Sequence, residues 1–423
     1  MTASLKLELP TLQNWSCHNC GGCCKQHGIY ITEAEKERIE KQGWNETNGV
    51  PKDQPIFVKM GGVVGSAWHR LAHKPDGGCV FLDEKGLCRI HAKFGEPAKP
   101  LACRIYPYAF HPTGKGVTIG LRFSCPSVVA NVGRPVAQQR SDLLELARQV
   151  VPENLTSAKP PAISPKETLS WPDFHRVVAA VDDSFEDESE LFLKRLVSTV
   201  TWVTLLGQAE FAKIQGERVD DLLGILREAA WNAAPDSPDE VQTPSSVGRT
   251  QFRLLAGHYA RKDTYGSKDN TLFGRLRLLR SALKLTAGKG KLPAIQSAFK
   301  EVPFEQLEQP FGVPEGTAEL FTRYFRVKIQ GLSFCGPAYY NVALVEGFQS
   351  LALVYPAVMW IARWLAAGHG RTTLAFEDVA DALSIADHHH GYSPAFGTWG
   401  FRKRVRTLAE LNDISALAAW YSR

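Results

Sequence analysis

Four cysteines within eight residues, Cys17-His18-Asn19-Cys20-Gly21-Gly22-Cys23-Cys24, limit what the first part of this chain can become. A CxxC loop turns two thiolates toward one ion, and Gly21-Gly22 allows the tight backbone that a second, overlapping knuckle requires. Adjacent Cys23 and Cys24 point apart in most conformations. They serve different metals, or one is a ligand and the other is packed. Cys79, Cys88, Cys103 and Cys125 follow, so eight of nine cysteines fall between positions 17 and 125, and Cys335 stands alone. Cys335, in Ser333-Phe334-Cys335-Gly336-Pro337, reads as a core thiol, because free cysteine buries readily.

The compartment decides between disulfides and metal. Lys6 and Glu8 stand where a secretory signal needs an apolar core. The most apolar stretch, Ser350 to Ala362, falls short of the roughly 20 residues that a bilayer span needs, so a buried helix is expected there and no membrane anchor. Without a signal, nine cysteines imply a reducing, cytoplasmic setting. Structural disulfides are rare there, and closely spaced thiols are metal ligands or redox groups.

A length of 423 residues suggests two or three domains at about 150 residues each, and 44% hydrophobic content is enough for a sizeable core. Residues 1–135 hold 17 Lys and Arg against 11 Asp and Glu, a surplus small enough to be an ordinary solvated surface. Five prolines among Ser and Thr between Val151 and Pro172 mark a linker, since proline fixes φ and donates no backbone hydrogen bond. The expected organisation is α+β: a small cysteine-cluster domain with short hairpins over 1–150, the linker over 151–172, and a mainly helical domain over 173–423.

Within the first domain, Gly28–Ile31 is strand-like, and Thr32 with Glu35 predicts a capping box at a helix start. Hairpins are expected over Cys79–Ile90, turning at Asp83-Glu84-Lys85-Gly86, and over Cys103–Phe123, turning at His111–Gly116. Apolar residues recur at helical spacing over Glu188–Ile214, Asp220–Ala234, Thr271–Thr286, Ala338–Ala367 and Phe376–His388. Pro235–Arg249 is expected as an exposed loop.

Eight thiolates suffice for two four-coordinate zinc sites, and thiolates equally hold iron–sulfur clusters. Spacing alone leaves both open. The CxxCxxCC run, Gly-Cys-Val-Phe-Leu at 78–82, Cys88-Arg89-Ile90-His91 and Pro100-Leu101-Ala102-Cys103-Arg104-Ile105-Tyr106-Pro107 resemble the bacterial CxxCxxCC family of zinc- or iron-chelating proteins, which includes flagellin lysine-N-methylases. By this resemblance Cys17, Cys20, Cys23, Cys24, Cys79, Cys88 and Cys103 match the family's cysteine pattern, and Cys125 joins them on spacing. Arg104 and Tyr106 match the positions after the last motif cysteine and are expected near a cofactor. Arg104 would donate to a cofactor carboxylate, or else form an ion pair beside the metal.

The resemblance implies methyl transfer from S-adenosylmethionine to a protein lysine, with flagellin as the partner. The lysine must then arrive as the neutral amine, which a desolvated pocket favours. No residue is assigned a catalytic role. No acidic residue and GxGxG loop follow a strand, and the radical-type CxxxCxxC spacing is absent, since His27 occupies the third place after Cys20 and Cys24. The alternative class is a non-enzymatic zinc- or iron-binding module whose helical domain binds a partner. Arg275, Arg277, Arg280 and Lys284 lie along one predicted helix without interleaved aromatics, which argues against nucleic acid. Asp387-His388-His389-His390 ends another helix, where histidines satisfy terminal carbonyls, with metal ligation as the alternative.

Overall fold

The computed structural model describes residues 5–60, 68–114, 116–151, 158–261 and 272–423. In chain order the first part runs β1 (Lys6–Glu8), β2 (Asn14–Trp15), α1 (Gly22–Gln26), β3 (Tyr30–Ile31), α2 (Glu33–Lys41), β4 (Phe57–Met60), β5 (Trp68–Leu71), α3 (Arg89–Phe94), α4 (Leu101–Ile105), β6 (Tyr108–Thr113), β7 (Gly116–Leu121), α5 (Pro126–Val129), β8 (Arg134–Pro135) and α6 (Arg140–Val150). Two three-stranded sheets form here, in the orders β3-β5-β4 and β1-β7-β6. β6 and β7 make the expected second hairpin, and β1 adds parallel to β7.

β7 shows why it sits centrally. Val117, Ile119 and Leu121 alternate with Gly116, Thr118 and Gly120, and every residue of the strand is buried. The large side chains enter the core. The small face admits the backbone at Gly331, where a Cβ would stand 2.6 Å from the Gly120 Cα. A glycine is needed at that close approach.

The expected first hairpin reduces to a single bridge, Leu82 to Cys88, and the chain turns helical at Arg89. Asp83 explains this. Its Oδ1 accepts from the Lys85 and Leu87 amides at 2.9 and 2.7 Å, tying the loop into a side-chain turn that competes with a ladder. Of the proline-rich stretch, the described residues form a small hairpin of β9 (Ala162–Ser164) and β10 (Glu167–Thr168), with Ile163 fully buried.

The remainder is helical: α7 (Trp171–Asp183), α8 (Phe192–Leu206), α9 (Glu217–Asn232), α10 (Ser246–Ala260), α11 (Leu272–Ala287), α12 (Phe304–Leu307), α13 (Thr317–Gln330), α14 (Leu344–Ala352), α15 (Val354–Gly368), α16 (Phe376–His389), α17 (Trp399–Glu410) and α18 (Asp413–Tyr421). The expected helix over Ala338–Ala367 starts late, because Pro337 and left-handed Tyr340 and Asn341 precede it, and it breaks between α14 and α15. α10 begins at Ser246, inside the expected loop, capped by the Ser245 hydroxyl. α15 is buried on every side up to Ala367. The apolar stretch Leu344–Gly368 is long enough to cross a membrane, yet 89% of its most apolar window is buried in the protein.

Two apolar cores result. The large one joins β1, β6 and β7 to the C-terminal helices, from Leu7 and Ile119 to Trp202, Tyr324 and Trp360. The small one, built on Ile31, Ile39, Leu71, Phe81 and Ile90, lies beneath the cysteine loops.

Candidate metal centre

Gly21, in the left-handed conformation at φ 67°, ends the first knuckle and starts α1, which carries Cys23 and Cys24 with sulfurs 4.0 Å apart. The Cys24 carbonyl accepts from the Cys79 amide at 2.8 Å, which stitches the second cysteine loop onto α1. Cys88 immediately precedes α3, whose first amide, Arg89, donates to the Phe81 carbonyl at 2.8 Å. Cys103 rides on α4. The predicted capping box forms, with Glu35 Oε2 accepting from the Thr32 amide, while Glu35 Oε1 accepts from the Leu101 amide at the start of α4. One carboxylate thus holds both α2 and the Cys103 turn.

Cys23, Cys24, Cys79, Cys88 and Cys103 line a cavity of about 620 Å³. His27, Tyr106, Arg122, His388 and Tyr392 line it too. His27 stacks on His388 with centroids 4.8 Å apart and meets Tyr106 at 4.9 Å. The Arg122 guanidinium lies 3.6 Å from the Tyr392 ring centroid, and its Nη2 donates to the His388 carbonyl.

The part of the lining around His388 is anchored by Asp387, its neighbour at the end of α16. It is fully buried and pairs with the equally buried Lys328 at 2.6 Å. It also accepts from the amides of Phe123 and Ser124 and from the Tyr324 hydroxyl. Burial pulls the Lys328 ammonium below its ordinary range, and Asp387 works against that.

The thiols are strongly desolvated. Burial pushes Cys79 up to about 12, with neighbouring Cys88 and Cys23 adding to it. Burial also raises Cys103, with Cys79, Cys88 and Cys23 contributing. Cys23 is raised first by its hydrogen bond with Cys24 and then by burial. Mutual influence among Cys23, Cys79, Cys88 and Cys103 means that the four stand together. Thiols buried this way ionise only when a metal cation supplies the compensating charge. An all-sulfur donor set of this kind fits a thiophilic metal or cluster. Among the described residues, no three His, Cys, Asp or Glu side chains stand close enough to grip a single ion as they lie.

The other expected ligands lie elsewhere. Cys17 and Cys20 are exposed on the first knuckle, and Cys125 is buried in the large core ahead of α5. The knuckle nevertheless approaches the Cys125 turn. A Cβ on Gly22 would stand 3.4 Å from the Cys20 sulfur and 3.8 Å from the Pro126 ring, and the His18 ring meets the Ser127 hydroxyl. Tyr106 lines the cavity. Arg104 commits its guanidinium to Glu96 and Gln149 and is not among the lining residues. His27, Arg122 and Tyr392 escaped sequence reasoning. Arg122 carried one weak signal, a cation directly after the largely apolar run Val117–Leu121.

Residues 16–125 match the CxxCxxCC family, described as a "Putative zinc- or iron-chelating domain". The first part of the chain is a CxxCxxCC domain. Its cysteines are those that ring the cavity, together with Cys17, Cys20 and Cys125 at its edges. A lysine-N-methylase of Salmonella typhimurium (strain LT2) is 21% identical over 228 residues, covering 51% of this chain and 52% of that protein. The lysine-N-methylase of Salmonella choleraesuis matches to the same extent. The flagellar biosynthetic protein FliU of Salmonella muenchen is 28% identical over 113 residues, 26% of this chain and 64% of that protein. The chain spans about half the length of the lysine-N-methylases it matches. No solved structure matches it.

Proposed function

We propose that the CxxCxxCC domain holds an iron–sulfur cluster through Cys23, Cys79, Cys88 and Cys103, and that the chain transfers a methyl group from S-adenosylmethionine to a protein lysine, with flagellin as the first substrate to test. The observation that carries this is the cavity itself, lined by clustered thiols and by a cation among aromatic rings. A tetrahedral ion with metal–sulfur bonds of about 2.3 Å needs its sulfurs roughly 3.8 Å apart. Cys23 and Cys24, at 4.0 Å, meet that spacing, whereas the proposed grouping of Cys23 with Cys79, Cys88 and Cys103 borders a cavity with room for a cluster. Cys17, Cys20 and Cys125 are proposed as a second, outer group, with Cys24 between the two.

When bound, a cluster held by these four thiolates would supply the charge that keeps the buried thiols ionised. The rest falls to the chain. His27, Tyr106 and Tyr392 narrow the cavity and exclude water around the reacting groups. Such a desolvated mouth lowers the pKa of an entering lysine, so that it presents a lone pair. The names of the relatives support this reading: two are lysine-N-methylases and one is a flagellar biosynthetic protein. Thiols of this kind also require the reducing, cytoplasmic setting expected from the sequence.

The test begins with metal and acid-labile sulfide on protein purified without oxygen, followed by labelled S-adenosylmethionine and flagellin. Iron with sulfide, and label on lysine, is the expected result. Zinc at about two per chain without sulfide would indicate closed structural sites and leave a non-enzymatic binding module in place of the enzyme.

A further inference from the structure

We infer that Arg122 is the anion anchor of the cavity and that it takes the carboxylate of the cofactor's methionine moiety, an inference that rests on the methyl-transfer reading above. The sequence points to Arg104 for this role, but Arg104 is already spent on Glu96 and Gln149. Arg122 follows β7 at the cavity wall. Its guanidinium lies 3.6 Å from the Tyr392 ring centroid and 5.7 Å from that of Tyr106. Among the described residues its side chain donates one hydrogen bond, from Nη2 to the His388 carbonyl at 3.3 Å, while its Nε is buried without a partner. Among the described residues no carboxylate pairs with it. The Asp387 carboxylate is committed to Lys328, to two backbone amides and to Tyr324.

A cation held this way is incomplete. A half-buried guanidinium whose Nε is enclosed and unpaired, with no carboxylate beside it, carries a desolvation cost that a bound anion offsets. The planar fork, held flat by an aromatic face, matches a carboxylate in two-point contact. The cavity, at about 620 Å³, has the size of sites that enclose a nucleoside-sized ligand. An amino-acid carboxylate at Arg122 would leave the rest of such a ligand facing the thiols and the aromatic rings.

The experiment uses the full-length, metal-loaded protein and two probes, S-adenosylhomocysteine and 5′-methylthioadenosine, which lacks the amino-acid carboxylate. Binding is read by calorimetry for wild type, Arg122→Met and Arg122→Lys. Wild type should prefer S-adenosylhomocysteine. Arg122→Met should weaken that probe about ten- to hundredfold, as expected for a hydrogen bond to a charged group, and leave 5′-methylthioadenosine within about threefold. Retained binding of the second probe also reports an intact cavity. Arg122→Lys should recover part of the preference by keeping the charge. An unchanged preference in Arg122→Met, or an equal loss for both probes, overturns the assignment while leaving the cofactor reading intact. Wild type that binds neither probe overturns the cofactor reading, and the role of Arg122 with it.

Discussion

Removing Lys328 or Asp387 tests whether the cavity lining at His388 is held by one buried charge pair. Both groups are essentially inaccessible, at 1% and 0% side-chain exposure, and they meet at 2.6 Å. Breaking a buried pair by deleting one partner costs about 3–5 kcal/mol, because the survivor is left charged in a low-dielectric interior. The two deletions differ in what they leave behind. Lys328→Met leaves Asp387 with the Phe123 and Ser124 amides and the Tyr324 hydroxyl, so its cost should sit near 3 kcal/mol. Asp387→Ala strands an ammonium whose remaining acceptor is the Leu121 carbonyl at 3.2 Å, and it orphans two backbone amides at about 1–3 kcal/mol each. It should cost at least about 5 kcal/mol. The double variant Lys328→Met/Asp387→Leu should be less damaging than the two single changes combined, since no charge is stranded. Urea midpoints followed by circular dichroism, at constant slope, supply the comparison. A Lys328→Met protein within about 1 kcal/mol of wild type, or an Asp387→Ala protein no worse than Lys328→Met, would refute the reasoning. Because Asp387 directly precedes His388, Asp387→Ala should also weaken binding in the cavity.

Single Cys→Ser changes at Cys23, Cys79, Cys88 and Cys103 should each lower iron content. Cys335→Ala, in the large core, should leave iron unchanged at a cost of about 1 kcal/mol; equal iron in all five proteins would dismiss the grouping. Burial, helped by Lys328, pushes His111 down to about 4. The unfolded chain, with an ordinary imidazole near about 6.5, therefore binds the proton first as pH falls. Stability should be undiminished above about pH 6.5 and decline toward about pH 4, by up to about 3 kcal/mol from this group. Urea midpoints across that range should fall less steeply in His111→Gln, and identical slopes would rule the contribution out. Gly331→Ala should cost about 2 kcal/mol or more, since its Cβ would collide with the Gly120 backbone; a melting temperature equal to wild type would show that the contact yields.

The sequence by itself determined whatever depends on neighbours along the chain. The CxxCxxCC run with its two glycines marked the knuckles, Thr32 and Glu35 marked the start of α2, and the β6–β7 hairpin followed from alternation. The apolar period of α9, α11 and α16 was equally visible. α13 was not, because Arg323 and Lys328 sit buried on its inner face and interrupt the apolar rhythm that would have revealed it. Only the tertiary structure could decide which cysteines share a cavity. Cys23 rides on α1, Cys79 lies in the loop after β5, Cys88 precedes α3 and Cys103 rides on α4, and hydrogen bonds such as Cys79 to Cys24 and Leu101 to Glu35 bring them together. The same holds for the two arginines. Their local settings, one beside the motif cysteine Cys103 and one after β7, do not say which faces the cavity. The packing of Glu96 against one, and of α16 with Tyr392 against the other, leaves the first neutralised and the second facing the cavity. A charge acquires its role from the groups that fold around it, and those lie far away in sequence.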